Sequence, residues 1–199
     1  MSRAVIAKGR PADRRKLILW GTLAVVVIAI VVAVSLASRQ VVPNAASNAP
    51  MQAHLKVGDT APEFTVQTNA GPFDLSTIPT PVVLEAFATW CPHCQRETQV
   101  MNSLAHRFAG KVAFVAVSAS PYGIDGQSPE TQADVNQFGA TFHVVYPLAF
   151  DPSLKVGQEY LRGGYPTIAV IDANKKIRYY QDGERSEAEL VKAIQSVLH

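Results

Sequence analysis

Twenty-two consecutive residues without a charge, Leu17–Ser38 (LILWGTLAVVVIAIVVAVSLAS), divide this 199-residue chain before any other feature does. Wound as an α-helix at about 1.5 Å per residue, the run reaches roughly 33 Å, enough to cross the hydrocarbon core of a bilayer. A helix buried in a soluble domain would carry a polar stripe, and this run has none. Arg3, Lys8, Arg10, Arg14, Arg15 and Lys16 precede it against the single acid Asp13, and after Arg39 no basic residue follows until Lys56. That asymmetry predicts a cytoplasmic basic tail over 1–16, a transmembrane anchor over 17–38 and an extracytoplasmic remainder. Ser35-Leu36-Ala37 resembles a signal-peptide cleavage site, but the apolar run is long for a signal peptide, so an uncleaved anchor is expected. Arg14-Arg15 reads as topogenic charge rather than as a twin-arginine signal.

Residues 39–54 are rich in Ala, Asn and Pro with no apolar period, the composition of a flexible linker. Residues 55–199 are then of ordinary single-domain size. Seven of the 18 Lys and Arg and one of the 16 Asp and Glu precede residue 40, leaving 11 basic and 15 acidic side chains and a net charge of −4 beyond it. The positive net charge of the whole chain therefore belongs to the tail and implies no nucleic-acid partner.

Val82–Ala88 and Lys111–Ala119 are nearly continuous apolar runs, as in strands covered on both faces. Between them Pro92–Phe108 has helical spacing, with Val100, Met101, Leu104, Ala105 and Phe108 on one face, which predicts a parallel strand–helix–strand crossover. A second helix is expected over Ser128–Phe138, with Ser128 as N-cap, Pro129 at its first position and Glu130 and Asp134 near its positive end. A short strand is expected over Val144–Leu148 and a short helix over Ser153–Leu161. Thr167–Asp172 and Lys176–Tyr180 read as a hairpin, and Ser186 with Glu189 as a capping box opening a last helix. Phe64–Gln67 and Phe73–Leu75 suggest a further N-terminal hairpin. The layout is α/β, a central mixed β-sheet flanked by helices.

The chain has two cysteines, and they form Trp90-Cys91-Pro92-His93-Cys94 where a buried strand gives way to a helix. At a helix N-terminus the unsatisfied N–H groups and the positive dipole end stabilise a thiolate on Cys91, and His93 would lower its pKa further. Cys94, one turn in, is expected to be the less exposed, resolving thiol, and Pro92 is tolerated in the first turn. A zinc site would need two more ligands, whereas His54, His106, His143 and His199 are scattered; a structural disulfide would close only a tiny loop. Redox chemistry by the cysteine pair is the expected use, with no metal and no bound cofactor.

The segment VVLEAFATWCPHCQRE resembles the thioredoxin-like superfamily, and within it the membrane-anchored TlpA/ResA-type thiol–disulfide oxidoreductases. Val57-Gly58-Asp59-Thr60-Ala61-Pro62-Glu63-Phe64 is similar to the opening these proteins share with peroxiredoxins. Gly164-Tyr165-Pro166-Thr167 is similar to the segment carrying the family's cis-proline, and the elements between about 128 and 148 to the TlpA-type insertion. The resemblance implies a thioredoxin-like fold, disulfide exchange with exported protein thiols, and a membrane redox partner that recycles the pair. Apocytochrome c thiols, and hence cytochrome c maturation, are one substrate setting it suggests.

It also implies roles for individual residues. Glu85, six positions before Cys91, matches the buried acid of thioredoxins. As a lone carboxylate in an apolar strand it should have a raised pKa and suit proton acceptance from Cys94. Glu97 matches a cleft position of ResA-type proteins, although a solvated helix face beside Arg96 would serve as well. Tyr165-Pro166 is expected to be cis, to face the cysteines and to offer its backbone to an extended substrate. Pro-His between the cysteines is instead the DsbA-like dipeptide and raises an oxidase or isomerase as the alternative to a reductase. A peroxidase is less favoured, because Ala88 and Leu84 stand where peroxiredoxins carry Thr and Pro. A copper chaperone would need His143 as third ligand.

Overall fold

A computed structural model describes residues 55–198. The tail, anchor and linker expected over 1–54 lie outside the described residues, among which no helix is long and apolar enough to cross a membrane. The first hairpin pairs β1 (Thr65–Thr68) with β2 (Gly71–Asp74). The Thr68 hydroxyl donates to the Gly71 carbonyl at 2.6 Å and accepts from the Ala70 N–H at 3.0 Å, while Gly71 turns the chain at φ 114°.

All six residues of β3 (Val82–Phe87) are buried. Helix α1 (Pro92–Arg107) then carries the chain to β4 (Ala113–Ser118), which runs parallel to β3 with Val82 opposite Ala113 and Phe87 opposite Ser118. The predicted crossover is thus present. Helix α2 (Gln132–Thr141), β5 (Leu148–Phe150) and α3 (Lys155–Tyr160) follow, then the hairpin of β6 (Thr167–Ile171) and β7 (Ile177–Asp182), and last α4 (Glu187–Gln195). The seven strands are ordered β2-β1-β5-β4-β3-β6-β7, with β3, β4 and β5 parallel and the remaining pairs antiparallel.

Alternation along β3 sends Val83 and Phe87 to one face and Val82 and Leu84 to the other. The first face packs on Met101 and Leu104 of α1, Val135 and Phe138 of α2, and Leu190 and Ile194 of α4. The second is covered by Phe64, Phe73, Leu75, Val156 and Tyr160. With both faces closed, β3 holds the segment that follows it at the centre of the sheet's edge.

The departures from the sequence expectation with a visible physical reason are at α2, the fifth strand and the start of α4. Helix α2 starts at Gln132, not at Ser128, because Ser128 is already engaged: its hydroxyl and N–H both bond the Asp125 carboxylate, at 2.7 and 2.8 Å. Thr131 is the N-cap, in a reciprocal box with Asp134. Thr131→Ala should therefore cost about 1 kcal/mol in urea unfolding, while a cap at Ser128 would make that change neutral. The fifth strand lies at Leu148–Phe150 rather than at Val144–Leu148, since the Val145 N–H donates to Asn102 Oδ1 of α1 at 3.0 Å and leaves Val145 off the sheet. At α4 only half of the capping box forms. Ser186 accepts from the Glu189 N–H, but the Glu189 carboxylate takes the Tyr179 hydroxyl at 2.7 Å instead.

Candidate active site

Past Phe87 the chain turns through Ala88-Thr89-Trp90, the Cys91 N–H donates to the Ala88 carbonyl at 3.1 Å, and Cys91 becomes the N-cap of α1 with Pro92 in the first turn. Both cysteines are free thiols. Cys91 keeps 4% of its surface exposed, and Cys94 keeps none. The Cys94 thiol donating to Cys91, followed by the Cys94 and His93 backbone N–H groups, outweighs burial and lowers the Cys91 pKa to about 6. Burial first, and then that same donated bond, push the Cys94 thiol far up. Near neutral pH the arrangement therefore puts the thiolate on Cys91 and keeps the proton on Cys94.

Across from the cysteines lies the turn before β6. The Tyr165–Pro166 peptide is cis, and the Cys91 thiol lies 3.8 Å from the Tyr165 carbonyl oxygen. The Tyr165 ring meets Trp90 edge-on at 5.8 Å and its hydroxyl donates to the Ala119 carbonyl at 2.7 Å. Trp90 donates from Nε1 to Ser120 Oγ at 2.9 Å. The residues flanking the thiolate are thus pinned to the β4 exit as well as to their own elements.

Two carboxyls stand behind the pair, both fully or nearly fully enclosed. Glu85 of β3 is buried on the α1 side; Oε2 accepts from the Tyr146 hydroxyl at 3.4 Å and Oε1 has no partner. Desolvation, then repulsion from Glu97, raises its pKa to about 8. Glu97 is not on a solvated helix face. It too is buried, Oε2 accepting the Arg185 N–H at 2.9 Å and Oε1 unpartnered, and burial raises it to about 7. Helical spacing could not decide this, because the covering residue, Arg185, comes from the loop before α4.

His93 points outward, its side chain 61% exposed, and its Nδ1 contacts Glu184, which Arg96 also grips through Nε at 3.1 and 3.2 Å. These two partners draw the Glu184 carboxyl down to about 2. The charge of His93 ranks behind the local hydrogen bonds in lowering Cys91. His143 is not brought to the cysteines: among the described residues no three His, Cys, Asp or Glu side chains cluster as metal ligands would.

Reading the sequence missed Tyr146, Ser120, Glu184 and the pair Thr89–Glu130. Glu130, expected at the start of α2, is instead buried, with Oε1 accepting the Thr89 hydroxyl at 2.9 Å. The adjacency of Thr89 and Trp90 to the cysteines was the one available signal; their partners lie 30 or more residues away in the chain.

The Redoxin family profile matches residues 56–197. The chain is 27% identical over 146 residues to the thiol-disulfide oxidoreductase ResA of Bacillus cereus, covering 72% of this chain and 79% of that one. It is 29% identical over 152 residues to the thiol:disulfide interchange protein DsbE of Vibrio cholerae, covering 74% and 77%. Among solved structures, a putative thiol:disulfide interchange protein DsbE from Chlorobium tepidum superposes with a TM-score of 0.64 at 28% identity, covering 73% of this chain and 99% of that one.

Proposed function

This chain belongs to the Redoxin family, and on that premise we propose that it is an anchored, extracytoplasmic thiol–disulfide oxidoreductase that reduces disulfides of exported proteins through Cys91 and Cys94. The observation that carries the reading is the asymmetry of the pair, a stabilised thiolate on Cys91 beside a buried, protonated Cys94 with Glu85 behind it. In the reducing direction the Cys91 thiolate attacks one sulfur of a substrate disulfide and forms a mixed disulfide as the other sulfur leaves as thiolate. The ionised form of Glu85, a minority near neutrality for a carboxyl of pKa about 8 and a growing share as the pH rises, takes the Cys94 proton. Cys94 then attacks Cys91 Sγ, closing the Cys91–Cys94 disulfide and releasing the substrate as dithiol. Two electrons have passed to the substrate, and a membrane redox partner returns them. The uncharged run Leu17–Ser38 and the basic tail before it support the anchored, outward-facing placement.

Glu97, Trp90, Pro92, His93, Tyr165 and Pro166 complete the site as supporting residues. The direction of electron flow turns on how far the thiolate is stabilised. A Cys91 pKa of about 6 lies nearer the value of about 7 in thioredoxin than the value of about 3.5 in DsbA. A tenfold change in thiolate stability corresponds to about 30 mV for a two-electron couple, so a Cys91 thiolate stabilised less than that of DsbA favours the reducing direction. Within the Pro-His dipeptide, His93 contacts Glu184, and its charge is the smallest of the contributions that lower Cys91.

Residues 53–199 carry Trp90 as their single tryptophan, so its fluorescence in glutathione or dithiothreitol buffers reports the potential directly. A strongly reducing value, near the roughly −270 mV of thioredoxin, is expected, with reducing exchange on exported proteins such as apocytochrome c; a glutathione-range or more oxidising value would make the chain a disulfide oxidase or isomerase instead. The same preparation consuming hydrogen peroxide rapidly would favour a peroxidase.

A further inference from the structure

Tyr146 stands just before β5 and is fastened on both sides. The preceding Val145 N–H bonds Asn102 Oδ1 of α1 at 3.0 Å, and the following Pro147 carbonyl accepts the Ala116 N–H of β4 at 2.9 Å. The tyrosine is buried, its ring tilted against Phe114 with the centroids 6.4 Å apart. A phenylalanine would fill that apolar space without carrying a hydroxyl into it, and a buried hydroxyl is costly unless it finds a partner. Its partner is Glu85: Oε2 accepts the Tyr146 hydroxyl at 3.4 Å, while Oε1 accepts nothing.

The surroundings of Glu85 make this one bond matter. On the adjacent strands the residues opposite Glu85 are Ala116 of β4 and Ile168 of β6, and neither carries a charge. From α1 come Cys91, Cys94 and Glu97; Cys91 and Glu97, when ionised, repel a carboxylate, and burial opposes its charge as well. Among the described residues the Tyr146 hydroxyl is the group that favours the charged form of Glu85. The bond also tightens as the acid ionises, since an O–H donor closes to about 2.5–2.7 Å on a carboxylate.

We propose that Tyr146 is a positioning residue for the resolving step: its hydroxyl holds Glu85 Oε2 and leaves Oε1 as the oxygen that receives the Cys94 proton. The proposal rests on the reading of this chain as a disulfide oxidoreductase with Glu85 as proton acceptor. In that step the Cys94 proton passes to Oε1, and the electron pair left on the Cys94 sulfur forms the bond to Cys91 Sγ. The bond from Cys91 to the substrate breaks, its pair leaving on the substrate sulfur. Tyr146 keeps its own proton throughout, because burial holds its hydroxyl well above the ordinary phenol range. Without the hydroxyl the carboxyl ionises less readily, so the mark of its loss is a displaced pH profile and not a uniformly lower rate.

The test uses the full-length protein in detergent micelles and a fluorescent peptide whose cysteine is activated with thionitrobenzoate. Attack by Cys91 releases thionitrobenzoate, and resolution by Cys94 then frees the peptide, read as a fall in anisotropy. Tyr146→Phe should release thionitrobenzoate at the parental rate but free the peptide about tenfold more slowly at pH 7. The midpoint of its pH–rate profile should rise by about one pH unit, with the two proteins converging at higher pH. Added to Glu85→Gln, the same change should slow release no further. An unmoved midpoint, an equal slowing at every pH, or a full effect in the Glu85→Gln background would overturn the proposal. A measurement on the unaltered protein does not depend on the variant folding. The Cζ carbon resonance of Tyr146, isotope-labelled at that position alone, should shift as the reduced protein passes through about pH 8 and stay still in Glu85→Gln; a parental signal flat across that range overturns the proposal by itself. If the parent releases no thionitrobenzoate, the oxidoreductase reading fails; if it cycles and Glu85→Gln matches it, the proton acceptor is misassigned; if only Tyr146→Phe matches it, the role of Tyr146 alone falls.

Discussion

Cys91→Ser is expected to lower disulfide exchange at least about 10³-fold, and Cys94→Ala to do something different: stop the cycle halfway. The serine hydroxyl at position 91 stays protonated near neutrality, so no nucleophile remains. In Cys94→Ala the Cys91 thiolate still attacks, but nothing resolves the mixed disulfide, which should accumulate stoichiometrically and appear on a non-reducing gel. The second variant also probes the geometry. The largest contribution lowering the Cys91 pKa is the bond from the Cys94 thiol, while the backbone N–H groups of the first helical turn remain after its removal. Cys91 in Cys94→Ala should therefore titrate at a pH about tenfold lower in proton concentration than in the parent, followed as thiolate absorbance. A Cys91→Ser protein with full activity would remove this pair from the mechanism, and an unchanged Cys91 titration in Cys94→Ala would put its stabilisation elsewhere.

The division between what could be read and what could not follows the range of the interactions. The apolar run of β3, the helical face of Met101, Leu104 and Phe108, and the C-x-x-C at their junction are local patterns, and the sheet centre and both thiols stand where those patterns put them. The cis Tyr165–Pro166 bond was legible through the resemblance alone, since nothing in the dipeptide requires it. The start of α2 was misplaced because Ser128, Thr131 and Asp125 all have side chains able to cap or turn, and only the three-dimensional arrangement shows that Asp125 claims Ser128. The partners of the site are long-range by nature. Tyr146 reaches Glu85 from 61 residues away and Glu184 reaches His93 from 91, distances over which periodicity carries no information. Burial of Glu97 depended in the same way on the loop carrying Arg185.

Glu85→Gln should make the domain markedly less sensitive to alkaline pH while slowing resolution of the mixed disulfide. In the folded chain burial holds the Glu85 carboxyl at about 8, against an ordinary value near 4.5 when unfolded. Between those two values the native state keeps a proton that the unfolded state has lost. Its stabilising contribution is complete below about pH 4.5 and is lost progressively as the pH rises through about 8. Over that span the loss amounts to roughly 3–5 kcal/mol, since a tenfold change in a proton-binding constant is worth about 1.4 kcal/mol. Glutamine does not ionise, so urea unfolding of the oxidised protein at pH 5 and pH 9 should show a fall in stability smaller by that amount in the variant. Part of the slope will persist, because Glu97 is also raised, to about 7. The same substitution removes the base that accepts the Cys94 proton, and resolution should slow by about 10²-fold at pH 7. The two effects separate a proton acceptor from a merely buried acid. If the stability profile flattens while resolution is unaffected, Glu85 is buried as described but another group takes the proton; if the variant loses as much stability between the two pH values as the parent does, the carboxyl is not the buried, protonated group at the root of β3.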